Sequence, residues 1–346
     1  MSFGLLWTLA LALLLAACQA APAASPTPTG PPTPTGSPAP TSSPAPTSPP
    51  TPASSATPAA YPVLLVGADG IETRLDGAPQ RIVSLTPATT ELVFALGAGD
   101  RLVGRGDFDD YPPDALELPG VAAFTGVNHE ALVALEPELV IAGGNNFTAA
   151  ADIARMRDLG IPVLVVYAET FDAALDDIRL IGRAIGTPAE AEAITAAMAE
   201  RRAEVAAAVA GLRTPRVFYQ IGSEPEIYGP APNSFIADMV ALAGGDPITT
   251  TDPAIFAIPV ERLVELDPEV IVLGDAQWGV CPADVAARDG WQGMTAVREG
   301  ELRPVNDTLV TRPGPRLGDG LAALALAIHP EADITPPDGD AQLCPE

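Results

Sequence analysis

The sequence predicts an α/β protein of two similar lobes, each with a mostly parallel sheet, joined by one long helix. Three observations carry this. Glu130 opens E-A-L-V-A-L-E-P-E-L-V-I, and Glu261, 131 residues later, opens E-R-L-V-E-L-D-P-E-V-I-V. Each copy reads as a short amphipathic helix stopped near a proline (Pro137, Pro268) and followed by a buried apolar strand. Upstream of each copy lies a β-branched or aromatic run leading into a helix and a Gly-rich stop. Arg81-Ile-Val-Ser-Leu leads to the helical stretch 91–100, and Arg216-Val-Phe-Tyr-Gln leads to its counterpart 238–246. Between the copies, residues 187–212 are rich in Ala, Glu and Arg, opening on Thr187-Pro188 and ending near Gly211. About 24 helical residues would span ~36 Å, a rigid strut between the lobes.

A fainter third pair, Ile161-Pro-Val-Leu-Val-Val and Leu302-Arg-Pro-Val, continues the repeat. Repeated strand–helix–strand order implies Rossmann-like lobes with helices covering both sheet faces. A period of this length is far beyond that of a solenoid or propeller. The expected boundaries are 61–186 and 213–333 for the lobes and 334–346 for a C-terminal tail.

The first 60 residues are of a different kind. Residues 3–17 form a nearly unbroken apolar run ending Leu15-Ala16-Ala17-Cys18. That is too short for the ~20 residues of a comfortable membrane span and has the length of a signal-peptide core with small residues before the cut. The run resembles a bacterial lipobox, which implies cleavage after residue 17 and lipid on Cys18. Residues 1–4 depart from the usual pattern in carrying no Lys or Arg. Residues 18–60 are almost all Pro, Thr, Ser, Ala and Gly. Such a composition cannot bury enough apolar surface to offset its ordering entropy and favours extended polyproline geometry. It predicts a spacer lifting a folded domain off a membrane, outside the cytoplasm.

Charge and residue usage exclude several chemistries. The formal net charge is −26, which speaks against nucleic acid as a partner. All 18 basic residues are arginine, so Schiff-base and P-loop lysine chemistry are absent. The two histidines, His129 and His329, are too few for a multi-histidine metal site, and no resident cofactor is expected. Gly222-Ser-Glu-Pro lacks the closing glycine of a nucleophile elbow, and no enzyme reading finds support. Besides Cys18 there are two cysteines, Cys281 and Cys344. In an exported chain they predict a disulfide tying the tail to the second lobe, with two free thiols as the alternative.

The globular part resembles the solute-binding proteins of ABC importers for ferric siderophores, haem and cobalamin. The resemblance runs from about residue 63 to 329. It rests on R-I-V-S-L-T-P-A-T-T-E-L from Arg81, Ala95-Leu-Gly97, Leu102-Val-Gly104, Asp110-Tyr-Pro-Pro113 and Gly126-Val-Asn-His-Glu130. Both E-x-L-V-x-L-x-P-E blocks and Arg312-Pro-Gly-Pro-Arg316 complete it. It implies two lobes on one helix with ligand in a shallow cleft between them. Bilobal α/β proteins hold ligand outside the carboxyl ends of their strands, so the loops there are the place to look.

The family pattern places Phe108 and Phe124 where aromatics touch ligand. Loops of the second lobe offer Tyr228, Phe256 and Trp278, each with ordinary packing as the alternative. Flat rings supply apolar area at low entropy cost, as a macrocycle or siderophore needs. Arg312 and Arg316 are candidate cations for ligand carboxylates or oxygens, with pairing to an acidic residue as the alternative, favoured for Arg316. Trp291 reads as packing, and Tyr111 or Tyr228 as oxygen donors should iron need one. The resemblance also implies that Glu130 and Glu261 dock onto arginines of the importer's membrane subunits, although a carboxylate in a first helical turn is favourable in itself. The expected function is capture of a corrinoid or ferric siderophore by a tethered monomer that hands it to an ABC importer. A sensory binding module is the alternative.

Overall fold

The computed structural model describes residues 60–123, 125–145, 147–337 and 343–344. Cys18, the export signal and most of the Pro/Thr spacer lie outside the described residues, as does Phe124.

A two-stranded antiparallel hairpin, β1 (Val63–Val66) and β2 (Glu72–Leu75), leads into a six-stranded sheet. Its strands are β3 (Ile82–Ser84), β4 (Leu102–Gly106), β5 (Gly120–Ala123), β6 (Gly126–Val127), β7 (Leu139–Gly143) and β8 (Val163–Val166), in the order β6-β5-β4-β3-β7-β8. All neighbours are parallel except β5 and β6. Helices α1 (Pro87–Ala95), α2 (His129–Ala134), α3 (Ala150–Asp158) and α4 (Phe171–Ile185) cover the sheet.

The physical reason is legible in the strands. Every residue of β3, β7 and β8 is buried, as expected of parallel strands covered on both faces. The period of two then sorts their side chains. Ile82, Leu139, Ile141 and Leu164 pack with Leu92 and Val93 of α1 and Ile178 of α4. Val83, Val140, Val163 and Val165 pack with Leu132 of α2 and Met156 of α3.

After α4 comes α5 (Pro188–Val209), 22 residues with Pro188 in its first turn. It buries Ala191, Thr195, Met198 and Val205, one stripe at helical spacing. A second, wholly parallel sheet follows: β9 (Arg216–Gln220), β10 (Asp246–Pro247), β11 (Val270–Leu273) and β12 (Leu302–Pro304), ordered β10-β9-β11-β12. Its helices are α6 (Phe235–Leu242), α7 (Val260–Leu266), α8 (Pro282–Ala286), α9 (Thr295–Glu299), α10 (Asp307–Val310) and α11 (Leu317–Ile328).

The order β4-β3-β7-β8 recurs as β10-β9-β11-β12, so all three segment pairs of the sequence repeat occupy matching strands. Small details recur with it. Arg81 Nε donates to the carbonyls of Leu135 (2.9 Å) and Glu136 (3.2 Å), and Arg216 Nε to those of Leu266 (3.2 Å) and Asp267 (3.1 Å). In both lobes an arginine just before or at the start of the first strand thus satisfies the orphan carbonyls at the end of the repeat helix. Glu136 and Asp267 each take φ 45° there, a left-handed stop just ahead of a proline.

One face of each sheet feeds a continuous apolar core. Val217, Tyr219, Val270 and Val272 join Ile82 and Leu139 through α5 and the buried side of α11, including Leu317, Leu321 and Leu324. The opposite face of the second sheet has its own core of Phe218, Ile271, Leu273, Trp291 and Met294. Trp291, 3% exposed, is the packing residue expected. Cys281 and Cys344 form a disulfide with Cα atoms 5.7 Å apart.

Candidate ligand-binding face

The candidate site lies on the loops that leave the carboxyl ends of the strands. The loop after β4 is tied down by Asp109, 1% exposed. Its Oδ2 accepts from Thr90 Oγ1 (2.6 Å) and from the N–H of Gly106 (3.0 Å), leaving Phe108 and Tyr111 about half exposed at 48% and 44%. Burial pushes the Asp109 carboxyl up to about 6, against the opposing pull of those two hydrogen bonds and of Arg105 and Arg312.

Two further loops form a pair that the sequence reading only half found. β7 runs on as Gly143-Gly-Asn145 to Phe147, and β11 as Gly274-Asp-Ala-Gln to Trp278. Phe147 and Trp278 are separated by the same 131 residues as the rest of the repeat. At 76% and 79% exposure they are the most exposed of the large apolar side chains described.

Glycine begins both loops for a steric reason. A Cβ on Gly143 would come within 2.7 Å of Phe147 Cβ and 2.8 Å of Thr86 Cγ2, and one on Gly274 within 2.6 Å of the Tyr219 ring. Below Phe147, Asn145 in a left-handed turn (φ 49°) donates from Nδ2 to Tyr167 Oη at 2.6 Å, and the Tyr167 ring lies 6.4 Å from that of Phe147.

Trp278 stands on a buried polar platform. Asp275, 4% exposed, accepts from Gln220 Nε2 (2.8 Å to each oxygen) and Ser223 Oγ (3.1 Å). Arg288 donates in turn to Gln220 Oε1 (2.8 Å) and Ser223 Oγ (2.9 Å). Such a satisfied network fixes the turn that carries the indole.

Of the other second-lobe aromatics, Tyr228 is half-buried and bridges backbone to Gly222 and Ala257, while Phe256 is 45% exposed. Arg312 and Arg316 take the alternative foreseen for them. Arg312 Nη1 donates to Glu91 Oε1 and Asp110 Oδ1, both at 2.8 Å, and Arg316 binds Glu91 with Nε (2.9 Å) and Nη2 (2.8 Å). The Arg316 guanidinium also lies 4.0 Å from the centre of the Tyr111 ring. The carboxyl-end loops of the two sheets therefore meet. Glu91 was legible as a repeat position but not as the partner of two arginines more than 220 residues away.

Glu130 and Glu261 are both exposed in the first turns of α2 and α7. Arg81 and Arg216, beside the entry of the first strands, cap the far ends of these helices. Each glutamate accordingly sits toward the carboxyl edge of its sheet. Both histidines are engaged by other residues: His129 pairs with Asp152 (2.9 Å), and buried His329 meets the carbonyl of Gly244 (3.2 Å). Among the described residues no group of acidic, His or Cys side chains could hold a metal ion.

The comparisons decide the family. The model of the family described as Periplasmic binding protein matches residues 82–306. The chain belongs to this periplasmic-binding-protein family. An "Uncharacterized ABC transporter substrate-binding lipoprotein YvrC" of Bacillus subtilis is 32% identical over 276 residues, 78% of this chain and 87% of the relative. A cobalamin-binding protein of Halobacterium salinarum is 32% identical over 281 residues, 78% of this chain and 75% of its own. Among solved structures, the periplasmic vitamin B12 binding protein BtuF of Vibrio cholerae aligns with a TM-score of 0.65 at 26% identity, covering 72% of this chain and 97% of that one. A periplasmic haem-binding protein of Pseudomonas aeruginosa aligns with a TM-score of 0.65 at 28% identity, covering 75% and 96%. This periplasmic binding protein thus has a family whose members bind solutes and are not enzymes, and a two-lobed α/β fold, as the sequence predicts.

Proposed function

We propose that the protein captures a bulky, flat metal chelate outside the cell membrane, a corrinoid or ferric siderophore, and delivers it to an ABC importer. The observation that carries this is the pair Phe147 and Trp278. Two large rings at equivalent carboxyl ends, each more than three-quarters exposed, are costly to leave in water and suited to the faces of one broad ligand. Phe108 and Tyr111 on the first lobe and Phe256 on the second extend the apolar walls, and Phe124 and Tyr228 complete the expected set. Arg312 keeps its place at the rim, its charge shared between two carboxylates.

Both histidines are already paired within the protein, which favours corrinoid or siderophore over haem. The relatives, a cobalamin-binding and a vitamin B12-binding protein among them, support the same class. Lipid on Cys18 and the spacer behind it anchor the protein as a monomer beside the importer, at high local concentration. Exposed Glu130 and Glu261 are the docking pair.

Titration with cyanocobalamin, the ferric complex of desferrioxamine, and haem, followed by quenching of tryptophan fluorescence, tests the reading. Saturable binding of cyanocobalamin or the ferric chelate, with a rise in Tm, is the expected result. Stabilisation by a free metal ion or a sugar alone would refute it.

A further inference from the structure

We infer that Glu91 and Asp238 are positioning residues, one from each lobe, that clasp the opposite lobe and so set the distance between the aromatic walls. The inference rests on the reading that ligand lies between those walls.

The sequence repeat matches Glu91 of α1 with Asp238 of α6, and the topology makes the match structural. α1 follows β3, and α6 follows β9, the equivalent strand. Both acids leave their own lobe for the same kind of target in the other. Glu91 reaches the arginines just before α11, the helix that covers the second sheet after its last strand, β12. Asp238 Oδ2 accepts the N–H of Phe171 at 2.8 Å, the first residue of α4, which follows the last strand of the first sheet, β8. The two contacts are therefore copies of one interface, repeated about a pseudo-twofold relation between the lobes.

The Glu91 clasp is tightly enclosed, and the Asp238 clasp ends on a buried residue. The Glu91 side chain is 1% exposed, and both its oxygens are filled by guanidinium donors. The backbone comes equally close: a Cβ on Gly314 would meet the carbonyl of Ala88 at 3.2 Å. On the other side Phe171 is fully buried, with the Arg202 guanidinium 5.1 Å from its ring centre and paired to Asp172 at 2.6 Å.

Each clasp also leads to the ligand face. The arginines on Glu91 hold Asp110 and Tyr111 in the loop that bears Phe108. Asp238 fixes the start of α4, four residues after Tyr167, whose hydroxyl and ring support Asn145 and Phe147. Charge-assisted contacts of this kind, buried at Glu91 and half-buried at Asp238, specify geometry well. Here they specify the spacing of two rigid bodies.

The test uses the mature protein with spin labels on cysteines introduced at Ala154 of α3 and Glu265 of α7, both exposed. E91Q and D238A are compared with the parent by interlobe distance distribution, by Kd for cyanocobalamin and ferric desferrioxamine, and by denaturant unfolding. Each variant should shift or broaden the distance distribution and raise the Kd of the bound probe at least tenfold, with E91D intermediate. D238A removes a single acceptor, so it serves should E91Q fail to fold. A lower unfolding midpoint with an unchanged distance distribution and unchanged Kd would make the acids merely structural and overturn the inference. If the parent binds neither probe, the ligand reading fails by itself. The distance distribution then decides: broadening sustains the clasp, and no change overturns it.

Discussion

At the scale of single residues, two exposed rings carry the proposed recognition and buried carboxylates carry a pH dependence. Phe147 and Trp278 each present most of a ring to solvent, and truncation removes apolar contact without opening a core. Phe147→Ala and Trp278→Ala are expected to weaken chelate binding about tenfold each, roughly 1.4 kcal/mol, with the Tm of the free protein unchanged. Isothermal titration and a melt of the same samples check both. The buried carboxylates set a pH dependence. Asp109 is raised from 3.8 to about 6, chiefly by burial. Asp177 is raised to about 7, by burial and then by the neighbouring charge of Asp176, against a hydrogen bond from the Tyr167 N–H. Both bind their protons more tightly folded than unfolded. Their contribution is thus complete below about pH 4 and is lost as pH rises through about 6 and 7. For Asp109 this amounts to roughly 3 kcal/mol. Tm should therefore fall between pH 5 and pH 8, and Asp109→Asn should flatten that slope; an equally steep slope in the variant would contradict it.

At the scale of elements, what the chain spelled out is the set of strands and helices that recur. Parallel strands buried on both faces are runs of Val, Ile and Leu, and such runs are conspicuous at Leu139, Val163 and Val270. The 131-residue offset did the rest. Elements outside the repeat, the β1–β2 hairpin and the antiparallel β5–β6 pair, were not foreseen, because they are short and lack a second copy. Phe147 was missed although the repeat contained it: carrying the offset from Trp278 back into the loop would have found it. The disulfide joins elements in another way. It closes a loop of 63 residues, for which the chain-entropy model gives about 4 kcal/mol. Cys344→Ser is expected to lower unfolding stability by 2 to about 4 kcal/mol, measured by denaturant titration. A variant as stable as the parent would show that the tail contributes nothing.

At the scale of the whole molecule, the two lobes share one apolar core through α5 and α11, and acid clasps close the seam above it. All the formal charge lies after residue 59, since residues 1–59 contain no Asp, Glu, Lys or Arg. A net charge of −26 over the rest of the chain repels itself, and salt screens the repulsion. Tm should rise as sodium chloride goes from about 10 mM to 1 M, and a fall would mean that the surface ion pairs outweigh the repulsion. Docking belongs to this scale as well. Replacing Glu130 and Glu261 together with Ala is expected to leave chelate affinity unchanged and abolish uptake in cells; normal uptake would remove the docking role.

The sequence by itself displayed the duplication, the buried parallel strands and the family resemblance, while the long helix and the disulfide were expectations with alternatives. Each depends on local pattern or on self-similarity, which a single chain displays. Only the tertiary structure decided which of the 44 acidic residues the arginines would choose. It also decided which rings would stay in water and that Glu91 and Asp238 would face outward to the opposite lobe. Those outcomes depend on distances between residues far apart in the chain. Such distances are set once two sheets have folded and packed on a common core, and they leave no local pattern in the sequence.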